Sequence, residues 1–138
     1  MSSETSTAAD SRRRVLVVDD YPDAADMLAE VLELRGDQVA VAHDAEAALA
    51  IAAEFAPQIA LLDLRLPKMD GFELASELRR RHGAGLVLIA MTGLSRPEER
   101  ARATEVGFGH YLVKPIDLAE LQALLETLSM TNVAAATP

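Results

Sequence analysis

The chain has 138 residues, no cysteine and a formal net charge of −9, from 22 Asp and Glu against 13 Lys and Arg. This length predicts a single domain. Leu, Ile, Val and Phe make up about 27% of the residues, which is enough for a hydrophobic core. The composition excludes disulfide frameworks and thiolate metal sites, and the acidic charge opposes nucleic-acid binding by bulk electrostatics.

The two ends of the chain differ in composition from the middle. Residues 1–11 and 130–138 carry no apolar period, so we expect disordered tails around one domain at 12–129. No apolar run approaches the roughly 18 residues of a membrane span. The first residues also lack the basic and apolar regions of a signal peptide. We therefore expect a cytoplasmic protein.

Between these ends, five short apolar runs alternate with segments of helical period. The predicted strands are Val15–Val18, Val39–Ala42, Ile59–Leu62, Leu86–Met91 and Tyr111–Val113. The predicted helices span 22–35, 45–55, 71–81, the segment from the Ser95–Glu98 capping-box pattern to about Gly107, and 117–129. This alternation predicts an α/β fold, (βα)5, with a doubly wound, five-stranded parallel sheet of flavodoxin-like type and strand order 2-1-3-4-5.

Polar residues follow four of the five predicted strands. They are Asp19-Asp20 after the first strand, Asp63 after the third, Thr92-Gly93 after the fourth and Lys114-Pro115 after the fifth. Ligands of such sheets bind beyond the carboxyl ends of the strands, so we expect these residues to share one rim. Three carboxylates at one rim repel each other and require a cation. Their oxygen ligands favour Mg²⁺.

The same rim has the residue types that phosphoryl transfer needs. A carboxylate beside a metal ion, an ammonium and a hydroxyl is prepared for nucleophilic attack on phosphorus. Lys114 can supply the ammonium and Thr92 the hydroxyl. Phosphoryl transfer depends mainly on positioning and on neutralisation of the phosphoryl oxygens. The residues therefore predict a site that forms an aspartyl phosphate.

Taken together, the motifs resemble the receiver domain of two-component response regulators, over about residues 13–129. The matching segments are VLVV-Asp19-Asp20, LL-Asp63-LRLPKMDG, M-Thr92-G and Lys114-Pro115. The resemblance implies a single-domain, chemotaxis-regulator-like signalling protein that accepts a phosphoryl group from a histidine kinase or a histidine phosphotransfer protein. It implies no enzymatic activity beyond self-catalysed phosphotransfer and autodephosphorylation.

The resemblance also assigns roles to the acidic residues. Asp63 matches the phosphate-accepting aspartate, which is also a metal ligand. Asp20 matches the direct Mg²⁺ ligand, and Asp19 matches its partner that acts largely through water. The backbone carbonyl of Arg65 would complete the protein ligands of the metal.

Four further residues match positions that hold or sense the phosphoryl group. Thr92 and Lys114 would contact the phosphoryl oxygens, and Gly93 would leave the group accessible. Tyr111 matches the aromatic switch, with Thr92 as its partner in switching. A cis peptide would join Lys114 to Pro115, which is affordable because a cis X-Pro bond costs only about 0.5–1 kcal/mol.

The resemblance further implies an output surface formed by the fourth helix, the fifth strand and the fifth helix. A downstream protein, which the sequence does not identify, would read this surface; we expect no direct nucleic-acid partner. About nine residues follow the last predicted helix, so we expect no DNA-binding or enzymatic output domain after it. Met1 and the native-looking tail favour a stand-alone receiver over one cut from a hybrid histidine kinase. A degenerate receiver that acts only as a docking module is a further alternative.

Two other functions on related folds fit the residues less well. A flavodoxin needs a hydroxyl- and glycine-rich phosphate loop after the first strand, but this chain has Asp19-Asp20-Tyr21-Pro22 there. A haloacid-dehalogenase-type phosphatase needs a second Asp two residues after its nucleophile, where this chain has Arg65.

Overall fold

Five strands and five helices alternate along the chain in the computed structural model, which describes residues 13–93 and 96–136. The strands are β1 (Arg14–Val18), β2 (Gln38–Ala42), β3 (Ile59–Asp63), β4 (Val87–Thr92) and β5 (Phe108–Val113). The helices are α1 (Pro22–Leu34), α2 (Ala45–Phe55), α3 (Gly71–His82), α4 (Pro97–Val106) and α5 (Leu118–Ala136). All strand pairs are parallel, in the order β2-β1-β3-β4-β5. The predicted fold is confirmed.

The near-continuous apolar strands lie in the middle of the sheet and are covered on both faces. Successive side chains of β1 alternate between two hydrophobic clusters: Leu16 and Val18 belong to one, Val15 and Val17 to the other. Helices α2, α3 and α4 pack against the first cluster, and α1 and α5 pack against the second. Burying each large apolar side chain contributes about 1.5–3 kcal/mol, so this double layer fixes the strand ends in space.

Local sequence signals determine where several helices begin. Asp44 caps α2 through a hydrogen bond from the Ala47 amide. Asp70 and Glu73 form a reciprocal capping box at the start of α3. At α4 the N-cap position belongs to Arg96, which makes no side-chain cap. Ser95, the predicted cap, lies outside the described residues.

Two predicted boundaries were wrong by more than one residue. Strand β5 begins at Phe108 and not at Tyr111, because Phe108 and His110 already pair with β4. The apolar run starts only at Tyr111, since Gly109 and His110 interrupt it. Helix α5 continues to Ala136, so residues 130–136 are helical and not a disordered tail. Neither Gly nor Pro occurs before Pro138 in this Ala-rich segment, so no residue type there ends a helix. The predicted tail at 1–11 lies outside the described residues.

Among the residues that the structure describes, no helix is long and apolar enough to cross a membrane.

The parallel arrangement of the strands determines where the loops that follow them begin. Every strand ends at the same rim of the sheet, and the loops after β1, β3, β4 and β5 therefore place their first residues together.

Candidate functional site

Lys114 links two buried carboxylates at the carboxyl rim of the sheet. Its Nζ lies 2.9 Å from Asp19 Oδ2 and 3.0 Å from Asp63 Oδ2. Asp19 is fully buried and Asp63 is 5% exposed. Lys114 reaches them from the end of β5, where its amide donates to the carbonyl of Thr92. The peptide bond between Lys114 and Pro115 is cis, as predicted.

Backbone amides orient the second oxygen of each carboxylate. The Tyr21 amide donates to Asp19 Oδ1 over 3.0 Å, and the Arg65 amide donates to Asp63 Oδ1 over 2.9 Å. Both amides lie two residues after the aspartate they contact, so each strand end forms a small Asx-type turn. These turns hold both side chains in defined rotamers at the rim.

Helix α3 begins in direct contact with the backbone of Asp63. The Gly71 amide donates to the carbonyl of Leu64 over 3.0 Å. A Cβ atom added at Gly71 would lie 2.4 Å from the Asp63 carbonyl oxygen and 2.6 Å from Leu64 Cα. Only glycine fits there without a backbone shift. The Asp70-Gly71 pair is an ordinary turn signal in the sequence and does not predict this close approach.

Burial and charge act in opposite directions on the ionisable groups of the rim. Burial raises the pKa of Asp63, and this outweighs the Arg65 amide and the Lys114 ammonium, which lower it. For Lys114, burial lowers the pKa, but the hydrogen bonds and charges of Asp19 and Asp63 outweigh it and leave the pKa above its ordinary value. One ammonium therefore stays charged between carboxylates that it does not fully neutralise.

The donor set at this rim fits a hard divalent cation. Carboxylate oxygens of Asp19, Asp20 and Asp63 all lie within 4.8 Å of one another. Opposite oxygens around one Mg²⁺ are about 4 Å apart at a metal–oxygen distance of about 2.1 Å, so this spacing suits Mg²⁺ ligation in which water completes the shell. Asp20 is exposed, and within the described part of the chain its carboxylate has no hydrogen-bond partner.

Thr92 connects the rim to Tyr111. Thr92 is fully buried at the end of β4, and its side chain hydrogen-bonds to the half-buried Tyr111. The Tyr111 hydroxyl also donates to Glu99 Oε1 over 3.3 Å, and the Arg100 guanidinium lies 4.4 Å from the ring centroid. Burial, followed by the charge of Glu99, raises the pKa of Tyr111.

The structure thus brings together Asp19, Asp20, Asp63 and Lys114, with Thr92 and Tyr111 beside them. The Arg65 amide belongs to the same rim, but its guanidinium points to α4, where Nη2 lies 3.4 Å from Glu99 Oε2. Sequence reasoning missed Glu99 and Arg100. No local pattern marks them, since α4 has almost no apolar residues to indicate which face it turns toward the sheet.

A doubly wound parallel sheet with an acidic cluster and a lysine at its carboxyl rim defines a class of signalling domain. The family model for the response regulator receiver domain matches residues 15–126. The chain belongs to this family, the receiver domain of two-component systems. Members of the family partner with histidine kinases and generally bind Mg²⁺ at an acidic pocket.

Solved structures of the same class resemble this chain over most of its length. The chemotaxis protein CheY4 of Vibrio cholerae is 28% identical with a TM-score of 0.81, covering 85% of this chain and 98% of its own. A CheY-like receiver domain from Methanospirillum hungatei is also 28% identical with a TM-score of 0.81, covering 90% of this chain and 99% of its own.

Curated relatives differ in length. An uncharacterized 14.6 kDa protein of Leptolyngbya boryana is 42% identical over 113 residues, which is 81% of this chain and 86% of that protein. The DNA-binding dual master transcriptional regulator RpaA of Synechocystis is 34% identical over 116 residues, or 83% of this chain. The match covers only 48% of RpaA, so the chain corresponds to about half of that relative.

Proposed function

We propose that this chain is a phosphorylation switch in which Asp63 accepts a phosphoryl group from a histidine kinase or a histidine phosphotransfer protein. The observation that carries the proposal is the buried bridge from the Lys114 ammonium to Asp19 and Asp63. A merely structural ion pair needs one carboxylate for each ammonium. Here a second buried carboxylate and the exposed Asp20 add negative charge that only a bound cation would compensate.

The proposed reaction is a direct displacement at phosphorus. An Asp63 carboxylate oxygen attacks the phosphorus of a phosphohistidine, and a new P–O bond forms as the P–N bond breaks. The electron pair of that bond stays on the imidazole nitrogen. Lys114 and Thr92 hold the phosphoryl oxygens, and the exposed Gly93 leaves the approach open.

The acidic cluster would hold Mg²⁺, with Asp20 and Asp63 as direct ligands, Asp19 largely through water and the backbone carbonyl of Arg65. The bound ion would neutralise charge on the phosphoryl oxygens and orient them. After transfer, Thr92 leaves Tyr111 for the phosphoryl group and Tyr111 turns inward. The surface formed by α4, β5 and α5 then changes, and a downstream protein target reads that change.

Asp63→Asn tests the acceptor assignment. After incubation with acetyl phosphate and Mg²⁺, the wild type should gain one phosphoryl group by mass spectrometry and the variant none, because the amide lacks the nucleophilic oxygen. Asp26→Asn makes the same charge change on the exposed face of α1 and should label like the wild type. Labelling of the Asp63→Asn variant at the substituted position, or none of the wild type, would contradict the proposal. The second outcome would favour a degenerate docking module.

Asp20→Ala tests the metal site. Removing one of three carboxylates should weaken Mg²⁺ binding by tenfold or more, roughly the effect of losing one charged ligand at about 1.4 kcal/mol per decade. Isothermal titration with Mg²⁺ measures this. Asp26→Ala is the matched control, since it removes the same charge outside the cluster. Equal Mg²⁺ affinity of both variants would refute the metal assignment.

A further inference from the structure

Helix α4 is attached to the rest of the domain mainly by polar side chains. Ala103 is its only buried residue, and all residues of α4 are described. Three of its long side chains reach neighbouring elements: Glu99, Arg100 and Arg102. The position of α4 therefore depends on partners whose charge or hydrogen bonding can change.

Glu99 contacts two residues that the phosphorylation chemistry also engages. Its Oε1 accepts from the Tyr111 hydroxyl over 3.3 Å, and its Oε2 lies 3.4 Å from Arg65 Nη2. Arg65 follows Asp63 by two residues, and its amide holds the Asp63 carboxylate. Tyr111 is hydrogen-bonded to Thr92. The partly exposed carboxylate of Glu99 thus contacts both Tyr111 and the loop that follows Asp63, which we call the acceptor loop.

We propose that Glu99 is a positioning residue that holds the unphosphorylated arrangement by binding Arg65 and Tyr111 together. This inference rests on the proposed function. A phosphoryl group on Asp63 carries about two negative charges in place of one, so it attracts the Arg65 guanidinium away from Glu99. The same group draws Thr92 from Tyr111. Both contacts of Glu99 must then loosen, and α4 is released from the acceptor loop.

Removing Glu99 should therefore favour phosphorylation. A two-state switch responds to the difference in free energy between its states, and a contact made only in one state sets part of that difference. When Glu99 is removed, its contacts with Arg65 and Tyr111 no longer stabilise the unphosphorylated arrangement. We expect phosphorylation by acetyl phosphate with Mg²⁺ to be about fivefold faster in Glu99→Ala, the lower end of typical coupling between sites.

Glu98 offers a matched control. It lies beside Glu99 in the first turn of α4 and interacts with the same helix dipole, but it is exposed and has no partner among the described residues. Glu98→Ala should change the phosphorylation rate less than twofold. Circular dichroism melts of all variants establish that each one folds.

A variant that lacks both side chains contacted by Glu99 shows whether Glu99 acts through those contacts. In the Arg65→Ala/Tyr111→Phe double variant, the further change Glu99→Ala should leave the phosphorylation rate unchanged, because both groups that Glu99 contacts are absent. Wild-type labelling with equal rates for Glu99→Ala and Glu98→Ala would overturn this inference alone. So would an acceleration that persists in the double-variant background. Absence of a phosphoryl group on wild-type Asp63 would overturn the proposed function, and this inference with it.

Discussion

Helices α3 and α4 occupy equivalent places in successive β–α units but are attached by different forces. The strand before α3 ends at Asp63, and the strand before α4 ends at Thr92. Helix α3 buries five residues, which are Gly71, Phe72, Leu74, Ala75 and Leu78. Helix α4 buries only Ala103 and relies on charged side chains.

The difference indicates which unit can move when the charge at Asp63 changes. Apolar packing is lost only by opening a cavity, which is costly in a close-packed interior. Charged side chains exchange partners without exposing core surface, and each exposed pair contributes at most about 1 kcal/mol. Helix α3 therefore holds Asp63 in place, while α4 can respond to it.

The largest effect is expected from Leu78→Ala in α3. Leu78 is fully buried, so its truncation should lower the free energy of unfolding by about 2–5 kcal/mol. Urea unfolding measures it. Leu34→Ala, at an 89% exposed position of α1, makes the same chemical change and should cost little. A similar cost at both positions would remove the basis for calling α3 the fixed helix.

Gly71→Ala should have an intermediate effect. The new methyl group meets the Asp63 carbonyl and Leu64 backbone, and such overpacking costs about 1–3 kcal/mol. It should also slow phosphorylation, since the Asp63 backbone must shift. Gly109→Ala adds the same methyl group where no atom lies within 4 Å. Equal stability and equal phosphorylation of the Gly71→Ala and Gly109→Ala variants would show that the contact between α3 and the Asp63 backbone does not constrain Asp63.

Arg102→Ala in α4 should have the smallest effect. Its guanidinium lies 4.2 Å from the Phe72 ring centroid and 3.9 Å from Asp70 Oδ2. An exposed cation–π contact contributes about 0.5–1 kcal/mol. We therefore expect the free energy of unfolding to fall by no more than about 1 kcal/mol, with Arg102→Lys losing less. A loss as large as that of Leu78→Ala would erase the contrast between the helices.

The sequence was sufficient to predict the strand ends and their shared rim. Asp19, Asp63 and Lys114 each follow an apolar run, and parallel strands bring such positions together whatever the loops contain. The sequence could not place Glu99 against Arg65, because Glu99 lies within a helix and not at the end of a strand. Helix α4 also has too few apolar residues to define its inner face. The close approach of Gly71 to Asp63 was equally invisible, since a glycine after Asp is also an ordinary turn signal.

Amide hydrogen exchange with and without phosphorylation shows which of the two helices responds to the charge at Asp63. The protein would be incubated with acetyl phosphate and Mg²⁺, with the Asp63→Asn variant as control, and exchange read by mass spectrometry for the segments 72–82 and 97–106. We predict altered exchange in the α4 segment and unchanged exchange in the α3 segment. A fully phosphorylated protein in which α4 is unchanged, or in which α3 changes as much as α4, would refute the distinction between a fixed α3 and a responsive α4.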